Sequence, residues 1–290
     1  MTRTLDWARD GRDWPNHESS HFAEAGGLRW HLQCAGAAER PTVLLLHGTG
    51  ASTHSWRDLL MPLSQHFHVI APDLPGHGFS GWPSDRAAFT LPGMAQAVAA
   101  LMDAQGRAPD LIVGHSAGAA VAVQMCLEGL AAPRCVIGLN AALLPLPGLA
   151  GAVFSPMART LVLNPLVPRL FARAAAWPAV SSRLLAGTGS TLDERGNALY
   201  ARLMASPPHV AAALAMMAGW DLPALARRLP QLRTALRLIV GEQDRTLPPD
   251  LAWQVAGRVA GATVTVLPGL GHLAHEEQPQ RVAGLIHAAW

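Results

Sequence analysis

Leu111-Ile112-Val113-Gly114-His115-Ser116-Ala117-Gly118-Ala119-Ala120 is the stretch that decides the fold. Leu111, Ile112 and Val113 are apolar, and two of them are β-branched, as at the end of a buried strand. Gly-x-Ser-x-Gly follows at once, and then the helix-favouring run Ala119 to Met125. Strand, sharp turn and helix are the setting in which this motif makes a nucleophile elbow. Gly114 and Gly118 are needed because strand and helix approach too closely there for a Cβ. The serine between them is expected in a strained conformation, its hydroxyl raised above the sheet edge.

Outward from this stretch, apolar strands alternate with helices. Gly27 to Gly36 alternates apolar with polar and predicts an early strand, and Thr42 to Leu46 is apolar throughout, as in a parallel strand buried on both faces. Ser55 to His66 predicts an amphipathic helix, His68 to Ala71 a strand, Pro92 to Gln105 a helix and Cys135 to Leu139 a strand. Residues 1–26 show no clear period and are expected to lie over the surface of the core. Residues 144–232 are helical pieces without a convincing strand. Arg237 to Gly241 and Thr263 to Leu267 restore the strands, with a helix near 249–259 between them, and Arg281 to Trp290 closes with a helix. The order predicts a doubly wound α/β fold with a mostly parallel sheet. The predicted organisation is a core over 1–143 and 233–290, with 144–232 inserted after the sixth strand as a helical cap over the C-terminal sheet edge, where such folds bind ligands.

Composition narrows the function. Half of the 290 residues are hydrophobic, 14% are charged, and the formal net charge is +2, which gives no reason to expect nucleic acid. Every basic residue is Arg; with no Lys, a lysine Schiff base is excluded. Cys34, Cys126 and Cys135 are scattered through apolar runs and predict buried reduced thiols. The histidines have no metal-ligand spacing, so no metal and no cofactor are expected. The first ten residues lack the apolar run of a signal peptide, and the longest apolar stretch, Val136 to Phe154, is broken by Asn140, Pro145 and Pro147. These features predict a cytoplasmic protein without a transmembrane segment, with a peripheral membrane contact left open.

A serine hydroxyl needs a base, and the base an acid to fix its tautomer. Asp244 lies three residues past a predicted strand end, and His272 lies in Pro268-Gly269-Leu270-Gly271-His272 after the last strand. Catalytic Ser116, Asp244 and His272 then stand in the chain order of an α/β-hydrolase. Asp73 is a rival acid in a turn-like Pro/Gly setting, Glu242 another, and His275, Glu276 and Glu277 read as helix caps or solvated groups. The oxyanion hole is assigned to the amides of Thr49 (or its neighbour Gly50) and Ala117. His47 and His115 flank the site. Met157, Met204, Met216 and Met217, with Phe154, Phe171, Trp177 and Trp220, either line an apolar substrate pocket or pack the cap helices together. Arg159, Arg169, Arg173, Arg183, Arg195 and Arg202 suit a carboxylate-bearing ligand or an anionic surface, and are equally what a solvated helical face carries.

These residues resemble the α/β-hydrolase superfamily across the whole core. Gly11-Arg12-Asp13-Trp14-Pro15-Asn16, His47 to Arg57 and Asn164-Pro165-Leu166-Val167-Pro168 are not demanded by that fold. They resemble the magnesium-chelatase accessory proteins of bacteriochlorophyll biosynthesis, nearly end to end. The resemblance implies a role around magnesium insertion into protoporphyrin IX, contact with chelatase subunits, and an apolar ligand such as protoporphyrin IX or Mg-protoporphyrin. It carries Ser116, Asp244 and His272 over as the triad. Two functions follow as expectations: a serine hydrolase cleaving an ester or thioester, or a non-catalytic porphyrin carrier.

Overall fold

The computed structural model describes residues 3–145, 164 and 166–290. The chain begins with α1 (Trp7–Asp10) and a hairpin of β1 (Ser20–Ala25) and β2 (Leu28–Ala35). Then come β3 (Thr42–Leu46), α2 (Leu60–Ser64), β4 (His68–Pro72), α3 (Leu91–Ala104), β5 (Leu111–His115), α4 (Ala117–Leu127) and β6 (Cys135–Leu139). Helices follow: α5 (Leu166–Ala175), α6 (Pro178–Ala186), α7 (Glu194–Met204), α8 (Pro207–Gly219) and α9 (Leu222–Arg228). The chain closes with β7 (Ala235–Gly241), α10 (Asp250–Ala256), β8 (Thr263–Leu267), α11 (Ala274–Glu277) and α12 (Pro279–Ala288).

The strands form one sheet in the order β1-β2-β4-β3-β5-β6-β7-β8. β1 and β2 pair antiparallel, as do β2 and β4, and every pairing from β4 to β8 is parallel. Side chains alternate between the two faces, as the two-residue period of a strand requires. Leu44, Leu46, Ile112 and Val136 enter the cluster under α3, α4 and α9, while Val43, Leu45, Val113 and Ile137 enter the one under α2 and α12. Both faces are therefore apolar, which explains the unbroken hydrophobic runs of β3, β5 and β6.

Two sequence expectations need correction. Residues 20–25 form a strand rather than a surface covering. Gly26 and Gly27, at φ 58° and 73°, make a two-residue turn of the kind that joins twisted antiparallel strands. The alternation escapes notice because β1 is a sheet edge whose only fully buried residue is Ala25. The helix expected over 55–66 is two pieces, a 3₁₀ turn at Thr53–Trp56 and α2. Pro62 has no N–H, so the α-helix starts at Leu60 and keeps that proline within its first turn.

Candidate active site

β5 delivers the backbone to Ser116, which sits at φ 51° and ψ −113°. This non-glycine strain is held from several sides. The Ser116 N–H donates to Leu139 O at 2.9 Å, and the Ser116 carbonyl accepts from Ala142 N at 3.0 Å. A Cβ on Gly114 would lie 2.4 Å from Ala119 N, and one on Gly118 would lie 2.0 Å from Leu46 O. Only glycine permits either approach.

The candidate base and acid come from neighbouring strand ends. His272, after β8, donates from Nδ1 to Asp244 Oδ2 at 2.8 Å, and both residues are buried. Asp244 Oδ1 accepts from the amides of Thr246 and Leu247, each at 2.8 Å. Asn140, left-handed at φ 45° just past β6, donates from Nδ2 to Asp244 Oδ2 at 2.8 Å. With these donors in place the carboxylate has one orientation, and the His272 proton on Nδ1 leaves Nε2 as the acceptor. Ser116 and His272 border the same cavity. Among the described hydrogen bonds none joins them.

The rival acids serve elsewhere. Asp73 accepts from His31 Nδ1 at 2.7 Å and from the amides of Thr53 and Phe79. Burial alone would raise its carboxyl, but His31, His47 and the Phe79 amide together hold it well below the usual range. Exposed Glu242 accepts from Gly269 N at 3.0 Å. Contrary to expectation, His275 and Glu276 are buried rather than solvated. Glu276 accepts from Tyr200 Oη at 2.7 Å and pairs with Arg57, and burial pushes its carboxyl up to about 7 against the pull of that arginine. Glu277 accepts from the amides of Gly271 and Thr191.

A cavity of about 490 Å³ opens above Ser116. Thr49 and Ala117 border it, and among the described residues neither amide has a protein acceptor. Ala142 and Leu144, beyond β6, and Trp220 and Leu222, ahead of β7, also border the cavity. Its described lining holds no Arg, Asp or Glu. Arg169, Arg173, Arg183 and Arg195 are exposed and off the lining, and Arg202 makes a two-pronged contact with Asp13 at 2.8 and 2.7 Å. Among the described residues no cluster of three or more His, Cys, Asp or Glu is able to hold a metal.

The expected pocket residues divide. Trp220, Met204, Met217, Phe171 and His115 border the cavity. Met216 is buried behind Thr49, whose hydroxyl donates to its sulfur at 3.6 Å. Trp177 is 71% exposed at the start of α6, away from the lining, because its backbone caps the helix while its ring projects outward. His47 is a strut rather than a wall. It donates from Nδ1 to Gly48 O at 2.8 Å and accepts from Leu74 N at 2.9 Å, and burial lowers its pKa. His115 donates from Nε2 to the His272 carbonyl at 3.0 Å, and burial pushes its pKa well below the usual value. Phe154 and Met157 lie outside the described residues.

His209 is a cavity residue that sequence reasoning missed. It donates from Nε2 to Gly50 O at 2.9 Å and accepts at Nδ1 from Gly78 N at 3.0 Å, tying α8 to the loop that carries Thr49. Burial pushes its pKa down to about 4. It is the only titratable side chain in the apolar helix α8, and that is the signal its sequence offered.

Residues 43–285 match the alpha/beta hydrolase family. The chain is 39% identical over 274 residues to the magnesium-chelatase 30 kDa subunit of Rhodobacter capsulatus, spanning 94% of this chain and 95% of that protein. It is 30% identical over 271 residues to the lipase LipV of Mycobacterium tuberculosis, spanning 89% and 96%. Among solved structures, an alpha/beta hydrolase fold protein from Burkholderia ambifaria superposes with a TM-score of 0.76 over 99% of each chain at 22% identity. A matched family signature and a matching sheet, with the serine at the turn after β5, lead to one conclusion: the chain belongs to the alpha/beta hydrolase family.

Proposed function

We propose that this protein is an accessory to magnesium insertion into protoporphyrin IX in bacteriochlorophyll biosynthesis, with serine-hydrolase chemistry at Ser116 on an ester or thioester. The observation that carries the chemistry is the assembly around one apolar cavity of Ser116, a His272–Asp244 pair at 2.8 Å and two acceptor-free amides. Ser116 Oγ attacks the carbonyl carbon while its proton passes to His272 Nε2. The resulting oxyanion rests on the Thr49 and Ala117 amides, donors worth about 3–4 kcal/mol each at a transition state. His272 returns the proton to the departing alcohol or thiol, and the acyl group stays on Ser116. Water then attacks the acyl-enzyme, His272 again taking and returning a proton, and the acid leaves. In this reading residues 144–232 are the cap that selects the substrate. The lining without charged side chains favours an acyl group that is neutral near the reacting bond.

The pathway assignment is supported by the near full-length similarity to the Rhodobacter capsulatus subunit. It implies contact with chelatase subunits and a cytoplasmic protein peripheral to the membrane. The same apolar cavity supports a second reading, a carrier that binds protoporphyrin IX or Mg-protoporphyrin without turnover. A fluorophosphonate probe separates them. The hydrolase labels Ser116 in folded protein, and Ser116→Ala does not label and fails to restore pigment synthesis in a strain lacking the gene. Restoration by Ser116→Ala, with protoporphyrin IX quenching the tryptophan fluorescence, would assign the carrier instead.

A further inference from the structure

α5 is packed inside out. It buries Pro168, Ala172 and Ala175 and leaves Leu166 56% and Leu170 66% exposed, while Phe171 is exposed beside the cavity. α6 continues the surface with Trp177, Val180 and Leu184. Six of the eleven exposed large apolar side chains of the described chain thus lie within Leu166–Leu184, and the rest are scattered. Isolated exposed leucines need no explanation, but a cluster of this kind marks a surface that meets something apolar.

Charge says what that is. Arg169, Arg173 and Arg183 are exposed among these side chains, and no Asp or Glu occurs from Asn140 to Leu192. Outside that span the 20 acidic residues of the chain slightly outnumber the 18 remaining arginines. Apolar side chains, an exposed tryptophan and arginines without acidic neighbours are what an anionic bilayer surface attracts: the rings and leucines enter the headgroup boundary and the guanidinium groups stay at the phosphates. Among the described residues no single helix is long and apolar enough to cross a membrane. Phe171 and Leu184, exposed in this stretch, also border the cavity, so the apolar stretch adjoins it.

We propose that the outer face of α5 and α6 docks on an anionic lipid bilayer and turns the mouth of the Ser116 cavity toward it, so that an apolar ligand passes between membrane and cavity without crossing water. This locates the peripheral membrane contact of the reading above, and it holds whether or not Ser116 turns over a substrate.

The test is co-sedimentation with vesicles of phosphatidylcholine alone or mixed with phosphatidylglycerol. The protein binds the mixed vesicles, and binding weakens at high salt. Leu170→Glu and the double variant Arg169→Glu/Arg173→Glu each weaken it by roughly tenfold or more while the thermal midpoint stays put. A vesicle-induced blue shift of tryptophan emission is present in the wild type and lost in Trp177→Phe. Absence of binding at millimolar lipid overturns the proposal, as does binding that both charge variants leave unchanged. A dimer that Leu170→Glu dissociates, without vesicle binding, overturns it in favour of a second copy of the chain on this face. Fluorophosphonate labelling of Ser116, read in the same preparations, reports on the hydrolase reading independently.

Discussion

At Ser116 the backbone occupies a region that costs a residue with a Cβ about 1–3 kcal/mol, and the surrounding hydrogen bonds keep it there. Glycine does not bear that cost. Ser116→Gly is therefore expected to raise the thermal midpoint by several degrees over both wild type and Ser116→Ala, while abolishing fluorophosphonate labelling. Calorimetry of the three proteins checks it, and equal midpoints for the glycine and alanine variants would mean that the turn is unstrained. Residues of this kind were legible in the sequence. Ser116, Asp244 and His272 each follow a strand that their own neighbours announce. Asn140 was not: its partner Asp244 is 104 residues away, and only the meeting of β6 and β7 brings them together.

Helix α8 acts as a clamp. His209 holds the Gly50 carbonyl and Met216 receives the Thr49 hydroxyl, so one face of the helix presses on the loop that would supply an oxyanion donor. Replacing His209 by Ala leaves the Gly50 carbonyl and the Gly78 amide without this partner, a loss of about 1–3 kcal/mol. Labelling of Ser116 by the fluorophosphonate is expected to slow by roughly tenfold in His209→Ala. His209→Gln, which keeps a donor for Gly50, is expected to recover most of the rate. An unchanged rate in the alanine variant would show that the loop holds its shape without the helix. A second fastening joins α7 to α11, where Tyr200 donates to Glu276 at 2.7 Å. The described helices of residues 166–228 read as helices in the sequence. Which face gripped the core was hidden, because the small and apolar residues of α8 show no sharp polar side. β1 was hidden for the related reason that an edge strand buries too little to leave a pattern.

Across the whole molecule, His47, His54, His77, His115, His209 and His275 are buried, and burial lowers the pKa of each. The folded protein therefore binds fewer protons than the unfolded chain as pH falls below about 6.5, so stability present above that value is lost toward pH 4 and below. Glu276 has the opposite sign, its pKa raised by burial to about 7, and it is one group against six. The thermal midpoint is expected to drop steeply between pH 7.5 and pH 5, and scanning calorimetry across that range checks it. A flat or rising midpoint would mean that these imidazoles are charged in the fold. The return of the chain to the cavity wall has a consequence for descent and design. Ala142 and Leu144, beyond β6, border the same cavity as Trp220 and Leu222, at the end of the helices that follow. On the proposal that residues 144–232 are a cap, exchanging that stretch for a relative's would give the same serine turn a different ceiling. The same proposal makes a change of ligand a change in one stretch of chain, with the sheet and its serine turn kept.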